Sequence, residues 1–443
     1  MTSIKTIKEI KFIKSNGDIE NYNEAKMKKF LRRLGMDKPE KLLNDFCEEV
    51  NGIMRTSEVI STLEKVAARK ISPAHPEYEN WAAALYLAAA QNKDHGHEYP
   101  KIELLKESTK IDQNMLSIFE PYFDQINAYI KPERDLIFTY KAASIFHGKY
   151  CHNISLSGRK EMPQITYMRC AMFLAYSENF TEDNLKEVFE YYDALSLHML
   201  TMATPIVVNA LTVRPQTSSC TLLEVDDSTE SLLDINAKIG TMSAWLAGTA
   251  CNVQRLRAKG SKITNGVTSG PIPFIKVFES TVSAWNQGGT RPGALCIYFQ
   301  WWHPDVMDLL SLKSNGGTEE NRARRLKYAL KVNDYFINAA MNDEIIALVS
   351  PHEAPDLYGV YGKEFEERYA KYLVDPKTKK MRAREIWVKL FKERTETGNI
   401  YLFHEENVNQ VSMLNRYISG SNLCTEVVLP TAPSTGFKTL YQI

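Results

Sequence analysis

Near the end of the 443-residue chain, Asn422, Cys424 and Glu426 alternate within Ser421-Asn422-Leu423-Cys424-Thr425-Glu426. An amide can fix a substrate hydroxyl, a carboxylate can take its proton, and a thiol can do nucleophilic, redox or radical work. The run continues as Val427-Val428-Leu429-Pro430, apolar, β-favouring and stopped by proline. That pattern predicts a short buried strand or strand-like loop. Side chains alternate along a strand, so the three groups would share one face. The plainer reading of the same spacing is a buried cysteine in a core strand. On spacing alone it has the greater weight, because buried cysteines are common.

Cys220 follows Thr217-Ser218-Ser219 at a polar entry to the apolar run Thr221-Leu222-Leu223-Glu224-Val225. That setting suits an accessible thiol better than a structural one. Cys251 and Cys296 have small or apolar neighbours and read as structural. The seven cysteines include no C-x-x-C and no zinc spacing, which fits a reducing compartment better than a secreted disulfide frame. No metal site is expected on this chain. His95 and His97 form one loop pair, which is more often solvated than metal-bound, and His404-Glu405-Glu406 reads as surface. Asp227-Ser228 precedes a helical stretch, where Asp227 with Glu230 reads as a capping arrangement. Ala247-Gly248-Thr249-Ala250 follows that helix, and such small residues permit close approach of the backbone to a ligand.

The elements that must position these groups are legible in part. Lys11–Lys14 and Ile19–Tyr22 flank Ser15-Asn16-Gly17-Asp18 and read as a hairpin, followed by a helix from Asn23 or Glu24 to about Leu34. Thr56-Ser57-Glu58 caps a helix to about Ile71, and Pro76 precedes another from Tyr78 to Asn92. Asp94–Glu98 reads as a linker. The pattern is then helical to about Met202, for example over Asp183–Leu200. From Thr204 strands enter: 206–208, 221–225 and 295–299, with helices over 228–246 and 321–340 between and after them. Strand–helix alternation predicts an α/β domain with largely parallel strands. Lys plus Arg equals Asp plus Glu, at 54 each, which gives no broad surface for nucleic acid or membrane. No apolar run reaches a membrane span, and no signal peptide opens the chain, so a cytoplasmic setting is expected.

The Asn-x-Cys-x-Glu run before Leu429-Pro430-Thr431 resembles the finger loop of the large (α) subunit of class I ribonucleotide reductases. The resemblance continues in order through Thr204-Pro205, Ser219-Cys220, the stretch Asn286-Gln287-Gly288-Gly289-Thr290-Arg291-Pro292-Gly293-Ala294 and the N-terminal segment. It implies an α/β fold: an ATP-cone at 1–95, a helical domain at 96–203, and at 204–443 the first half of the family's ten-stranded α/β barrel. The activity implied is reduction of ribonucleoside diphosphates by thiyl-radical chemistry. Cys424 would be the radical residue, Glu426 the base, Asn422 its hydrogen-bonding partner and Cys220 one of the reducing thiols. Thr204, Ser219, Ala247, Gly248 and Asn422 would contact substrate. Asp227, Ser228, Arg257, Gln287 and Arg291 would bind or relay a deoxynucleotide effector, with 262–269 closing on it. Lys14, Glu20, Asn23, Lys26 and Thr56 would contact ATP or dATP.

The same resemblance implies a radical-generating small subunit with a metal centre, thioredoxin or glutaredoxin as reductant, and a homo-oligomer of the assembled large subunit. Relatives run well beyond the finger loop, whereas the residues after Thr431 look unrelated. Either the chain is truncated or the gene is split; the favoured expectation is a split, phage-like large subunit whose second chain completes the barrel, placing it in the host cytoplasm if phage-encoded. Two other readings stand beside it: a cobalamin-dependent or anaerobic reductase sharing barrel and cone, and a nucleotide-sensing regulatory fragment without turnover.

Overall fold

The computed structural model describes residues 10–50, 52–154, 158–285 and 292–434. It divides into two units at Thr217/Ser218. In the first unit Gly17, at φ +88°, turns the chain between β1 (Lys11–Ile13) and β2 (Ile19–Asn21). β3 (Ile53–Arg55) adds to β1 in parallel. Helix Glu24–Arg33 begins where the Asn23 side chain accepts from the Lys26 amide, so the expected start holds. A helix not foreseen, Pro39–Glu49, follows, and then Thr56–Lys70 and Glu77–His95. Thr56 is the first helical residue rather than the cap. Leu31, Phe46, Leu63 and Trp81 build one apolar core among these elements.

The last of those helices runs into the expected linker and stops at Gly96, whose φ is +70°. His95 is half-buried, its Nε2 2.6 Å from the Lys160 carbonyl, and so is not the solvated residue expected. A second core collects around helix Pro163–Leu174, which is buried nearly all round. Its Arg169 is fully buried. Arg169 pairs with Glu161 at 2.7 Å and donates to the carbonyls of Ala210 and Val207, so no charge is left unmatched. Helix Leu185–Ser196 buries Leu185, Val188 and Tyr192, while Phe189 is half-buried and stacks on Tyr129. The expected strand at 206–208 is instead a helix, Thr204–Asn209. Pro205 presets helical φ in its first turn, and that local constraint outweighs the β preference of Val207 and Val208.

The second unit is organised on parallel strands. β4 (Cys220–Glu224) and β5 (Gly248–Asn252) are joined through helix Thr229–Ala244. A small hairpin, β6 (Lys262–Ile263) with β7 (Gly266–Val267), and helix Ile272–Ala284 lead to β8 (Leu295–Gln300). β9 (Lys327–Val332), β10 (Ile345–Leu348), β11 (Lys379–Arg382) and β12 (Tyr401–His404) follow. The main sheet has the order β12-β9-β8-β5-β4, every pairing parallel, and β10 pairs with β11 separately. β5 and β8 are buried throughout, as strands covered on both faces must be. Cys251, Ile297, Phe299 and Leu330 pack outward into the large core under the helices. Ala250, Cys296, Tyr298 and Ala329 face the other way and meet Phe403, Ile418 and Leu423. The fold is therefore α/β, a helical N-terminal region followed by a parallel-sheet barrel domain.

Two expectations fail here. Residues 321–340 are not one helix: β9 occupies 327–332, and a helix starts only at Asp334, capped by Asn333. Its charged flanks mimic helical spacing, while Tyr328, Ala329, Leu330 and Val332 are buried as a strand. The run 421–430 is not a strand either. It is a turn followed by an irregular segment, and Thr425 sits at φ +67°.

Candidate active site

Because 421–426 turns, its side chains are not arrayed on a strand face. The Asn422 side chain is fully buried and folds back over its own loop. Its Oδ1 accepts from the backbone amides of Glu426 and Val427, both at 3.0 Å. Its Nδ2 donates to a Glu426 carboxylate oxygen at 2.7 Å and to the Cys220 sulfur at 3.0 Å. The Cys220 thiol lies 3.8 Å from the same carboxylate oxygen. Amide, carboxylate and one thiol thus form a single contact group. Cys424 stands exposed at the tip of the turn. An exposed thiol two residues before a carboxylate that is fixed by an amide and faces a second thiol is a set of groups able to move hydrogen and protons.

β4 places Cys220 at its first residue, in register with Gly248 of β5. The Gly248 amide donates to the Ser219 carbonyl at 2.9 Å, so Ser219, Cys220 and Gly248 lie together. Ala247 beside them is buried. Leu246 just before takes a left-handed φ of +66° to end the helix and enter the strand. Thr204 belongs to the first unit, where its hydroxyl is 3.1 Å from that of Tyr150.

Glu224, four residues along β4 from Cys220, is fully buried and ionically matched. Arg255 Nε donates to it at 2.9 Å, Ser419 Oγ at 2.9 Å, Thr431 Oγ1 at 2.8 Å, and Tyr358 also donates. Ser419 and Thr431 are the shoulders of the segment that carries Asn422, Cys424 and Glu426. One strand therefore sets Cys220 against the loop and Glu224 against its base. Sequence reasoning passed over Glu224, Tyr298 and Thr425. A lone carboxylate inside the apolar run 221–225 was the available signal for Glu224.

Of the expected effector residues, Asp227 and Arg257 form an ion pair, Arg257 Nε donating at 2.5 Å. Arg257 Nη1 also donates to the Lys262 carbonyl at 2.9 Å and so ties the pair to the β6–β7 hairpin. Ser228, not Asp227, caps helix Thr229–Ala244, accepting from the Ser231 amide. That corrects the Asp227 capping reading and leaves its carboxylate to Arg257. Gln287 and Arg291 lie outside the described residues. Gly293 beyond them sits so close to two helices that a methyl there would meet Ser243 Oγ at 2.5 Å and the Val282 carbonyl at 2.9 Å. In the first unit Lys14 and Lys26 pair with Glu20 at 3.2 and 3.4 Å. Hydrogen bonding to Lys14 first, and then to Lys26, lowers the Glu20 carboxyl below its ordinary range. The Thr56 hydroxyl donates to the Ile13 carbonyl at 3.3 Å. Among the described residues no group of three or more His, Cys, Asp or Glu forms a metal-ligand set, and no helix is long and apolar enough to cross a membrane.

A family model described as ribonucleotide reductase, barrel domain, matches residues 218–439, and one described as ribonucleotide reductase, all-alpha domain, matches 137–215. The ribonucleoside-diphosphate reductase subunit alpha of Haemophilus influenzae is 34% identical over 397 residues, covering 86% of this chain and 52% of that protein. The subunit of the same name from Helicobacter pylori is 33% identical over 440 residues, covering 96% and 55%. That of Enterobacteria phage T4 is 33% identical over 444 residues, covering 95% and 58%. The chain spans about half the length of the curated relatives it matches.

Proposed function

We propose, since the chain belongs to the ribonucleotide reductase large-subunit family, that it carries part of the machinery reducing ribonucleoside diphosphates to deoxyribonucleoside diphosphates. The observation that carries this reading is the Asn422 amide joining the Cys220 sulfur to the Glu426 carboxylate on the inner face of a parallel sheet. In the reading, Cys424 as a thiyl radical takes the hydrogen atom from the ribose 3′ carbon, and Glu426 takes the 3′-hydroxyl proton. The neighbouring 2′-hydroxyl then leaves as water, protonated from the thiol pair to which Cys220 belongs. That pair supplies the reducing electrons. Asn422 holds Glu426 and binds the substrate, with Ser219, Ala247, Gly248 and Thr204 as further contacts.

Asp227 and Arg257, with Ser228, Gln287 and Arg291, read a deoxynucleotide effector and relay its base to the substrate site, a coupling that is necessarily reciprocal. Residues 1–95 act as an ATP-cone, with Lys14, Lys26, Glu20, Asn23 and Thr56 at the nucleotide, and 96–203 form the helical domain. The radical comes from a metal-centre small subunit, and electrons from thioredoxin or glutaredoxin. β4 and β12 are the margins of the five-stranded sheet. The second reducing cysteine and the strands that close the barrel are supplied by sequence beyond these five strands.

The test is deoxyribonucleotide formation from ribonucleoside diphosphate after native co-purification of this chain, with the small subunit and a dithiol reductant added. Product in that assembly, absent for Cys424→Ser, supports the reading. Turnover that survives Cys424→Ser rejects it. Mass spectrometry of the native assembly shows whether the closing strands arrive on a separate chain.

A further inference from the structure

Three adjacent strands each present one side chain at the same level of the inner face. Glu224 of β4 is the register partner of Asn252 of β5, which in turn pairs with Tyr298 of β8. Each of the three reaches the segment 419–431. Glu224 accepts from Ser419 and Thr431 at its base. The Asn252 amide donates to the Ser419 carbonyl at 2.8 Å. The Tyr298 hydroxyl goes further along, donating to the Asn422 carbonyl at 2.7 Å and standing 2.9 Å from the Thr425 hydroxyl. Its ring is fixed edge-on against Phe403, and it lies in the small inner core with Leu423.

Asn422 and Thr425 bracket Leu423-Cys424. Thr425 is β-branched and sits at φ +67°, a region such residues rarely enter without something holding them there. A buried hydroxyl touching both the residue before the turn and the strained residue within it is such a restraint.

We infer that Tyr298 is a positioning residue for the reaction. Its hydroxyl holds Thr425 in the left-handed region, sets the direction in which Cys424 leaves the turn, and keeps Asn422 seated on Cys220. The inference deepens the function proposed above, on whose assignment of Cys424 and Cys220 its importance for turnover rests. The turn geometry itself can be tested without turnover.

The experiment measures iodoacetamide alkylation of Cys220 and Cys424, resolved by mass spectrometry, on the 443-residue chain and its variants. Tyr298→Phe and Thr425→Val each remove one side of the same hydrogen bond. Each is expected to raise the Cys220 rate by about threefold or more, because Asn422 no longer stays over the sulfur. The double variant should go no further than Tyr298→Phe alone, which already removes the contact with Thr425 as well as the one to the Asn422 carbonyl. Thr425→Gly in the Tyr298→Phe background should bring the rate back towards that of the parent chain. Glycine occupies the left-handed region freely, and a purely structural tyrosine would not be rescued by a backbone preference in the loop.

Unchanged Cys220 rates in either folded single variant, or additive effects in the double, overturn the inference. Should Tyr298→Phe fail to fold, Thr425→Val, which lies on the loop itself, gives the same readout. In the assembled enzyme both single variants should lower kcat while leaving KM near the parent value. If the parent assembly makes no deoxyribonucleotide, the proposed function fails while the labelling pattern still decides the role of Tyr298.

Discussion

The Asn422 amide nitrogen lies 3.0 Å from the sulfur of Cys220, a contact that joins residues 202 positions apart in the chain. The same nitrogen donates to Glu426, and the same side chain caps two amides of its own loop. Asn422 is thus both a structural staple of the turn and the group that orders a carboxylate beside a thiol.

Asn422→Ala removes hydrogen bonds from a fully buried site and leaves the Glu426 and Val427 amides without their acceptor. The expected loss of stability is about 2–4 kcal/mol, read as a lower urea midpoint. Asn422→Asp keeps the Oδ1 acceptor but sets a second carboxylate against Glu426. Like charges at that distance raise a carboxyl pKa, so the acid limb of the pH–rate profile should move upward. An unmoved acid limb would show that the two side chains are not in contact.

Cys424→Ser and Cys220→Ser each change a side chain by little volume. Thermal melts of the chain should stay close to the parent, while deoxyribonucleotide formation by the assembled enzyme falls to background. Either variant turning over at the parent rate removes that cysteine from the mechanism.

Glu224→Gln replaces an acceptor oxygen with a donor amide where Arg255, Ser419, Thr431 and Tyr358 all donate. Arg255 stacks on Tyr358, 3.5 Å from the ring centroid, and cannot leave without losing that contact as well. Breaking a buried pair this way costs several kcal/mol, reduced here because Arg255 is partly exposed, so about 2–3 kcal/mol is expected in a denaturant titration. A midpoint within error of the parent would mean the four donors find other partners.

Asp227→Ala frees Arg257 from its carboxylate. The partly exposed ion pair contributes about 1 kcal/mol or less to stability, so the melting temperature should hardly move. Deoxynucleotide effector binding should weaken and the choice among substrates should blur. Effector affinity identical to the parent in a calorimetric titration would limit Asp227 to anchoring Arg257.

The first unit carries an acid-sensitive set. Burial, foremost, depresses His147 and His152 to about 4. Their folded values lie below the unfolded value of 6.5, so their contribution to stability is full above pH 6.5 and is lost as pH falls towards 4. Asp135 runs the other way: burial raises its carboxyl from 3.8 to about 7 against donation from Gln164 and Tyr99. Its contribution is full below pH 3.8 and is lost as pH rises through 7. Between pH 6.5 and 4 the unfolded chain takes up two protons on the histidines, while the folded chain holds one on Asp135. Over these three groups the net is one proton, a contribution of about 1.4 kcal/mol of stability lost per pH unit of acidification. His152→Leu removes one histidine from the balance and should flatten that slope in urea titrations across the range.

The amino-acid sequence by itself determined the class of the fold and singled out the candidate groups of the site. The hairpin around Asn16-Gly17, the helix capped by Asn23 and the strands at 220–224 and 295–300 are local matters of turn chemistry, capping and apolar run length. Cys220, Asn422, Cys424 and Glu426 stood out by residue type and order. Where local preference conflicts with tertiary context, the reading failed. Val207 and Val208 went into a helix behind Pro205, and β9 became a strand because its site lies between two others in a parallel sheet. The Asn-x-Cys-x-Glu run was read with period two, yet it turns, since Asn422 can satisfy its own loop only by folding back and Tyr298 holds Thr425 in the left-handed region. That Cys220 meets Asn422, and that Glu224, Asn252 and Tyr298 form one row beneath the loop, follows from strand register, which is set by the packing of whole strands and leaves no local trace in the chain.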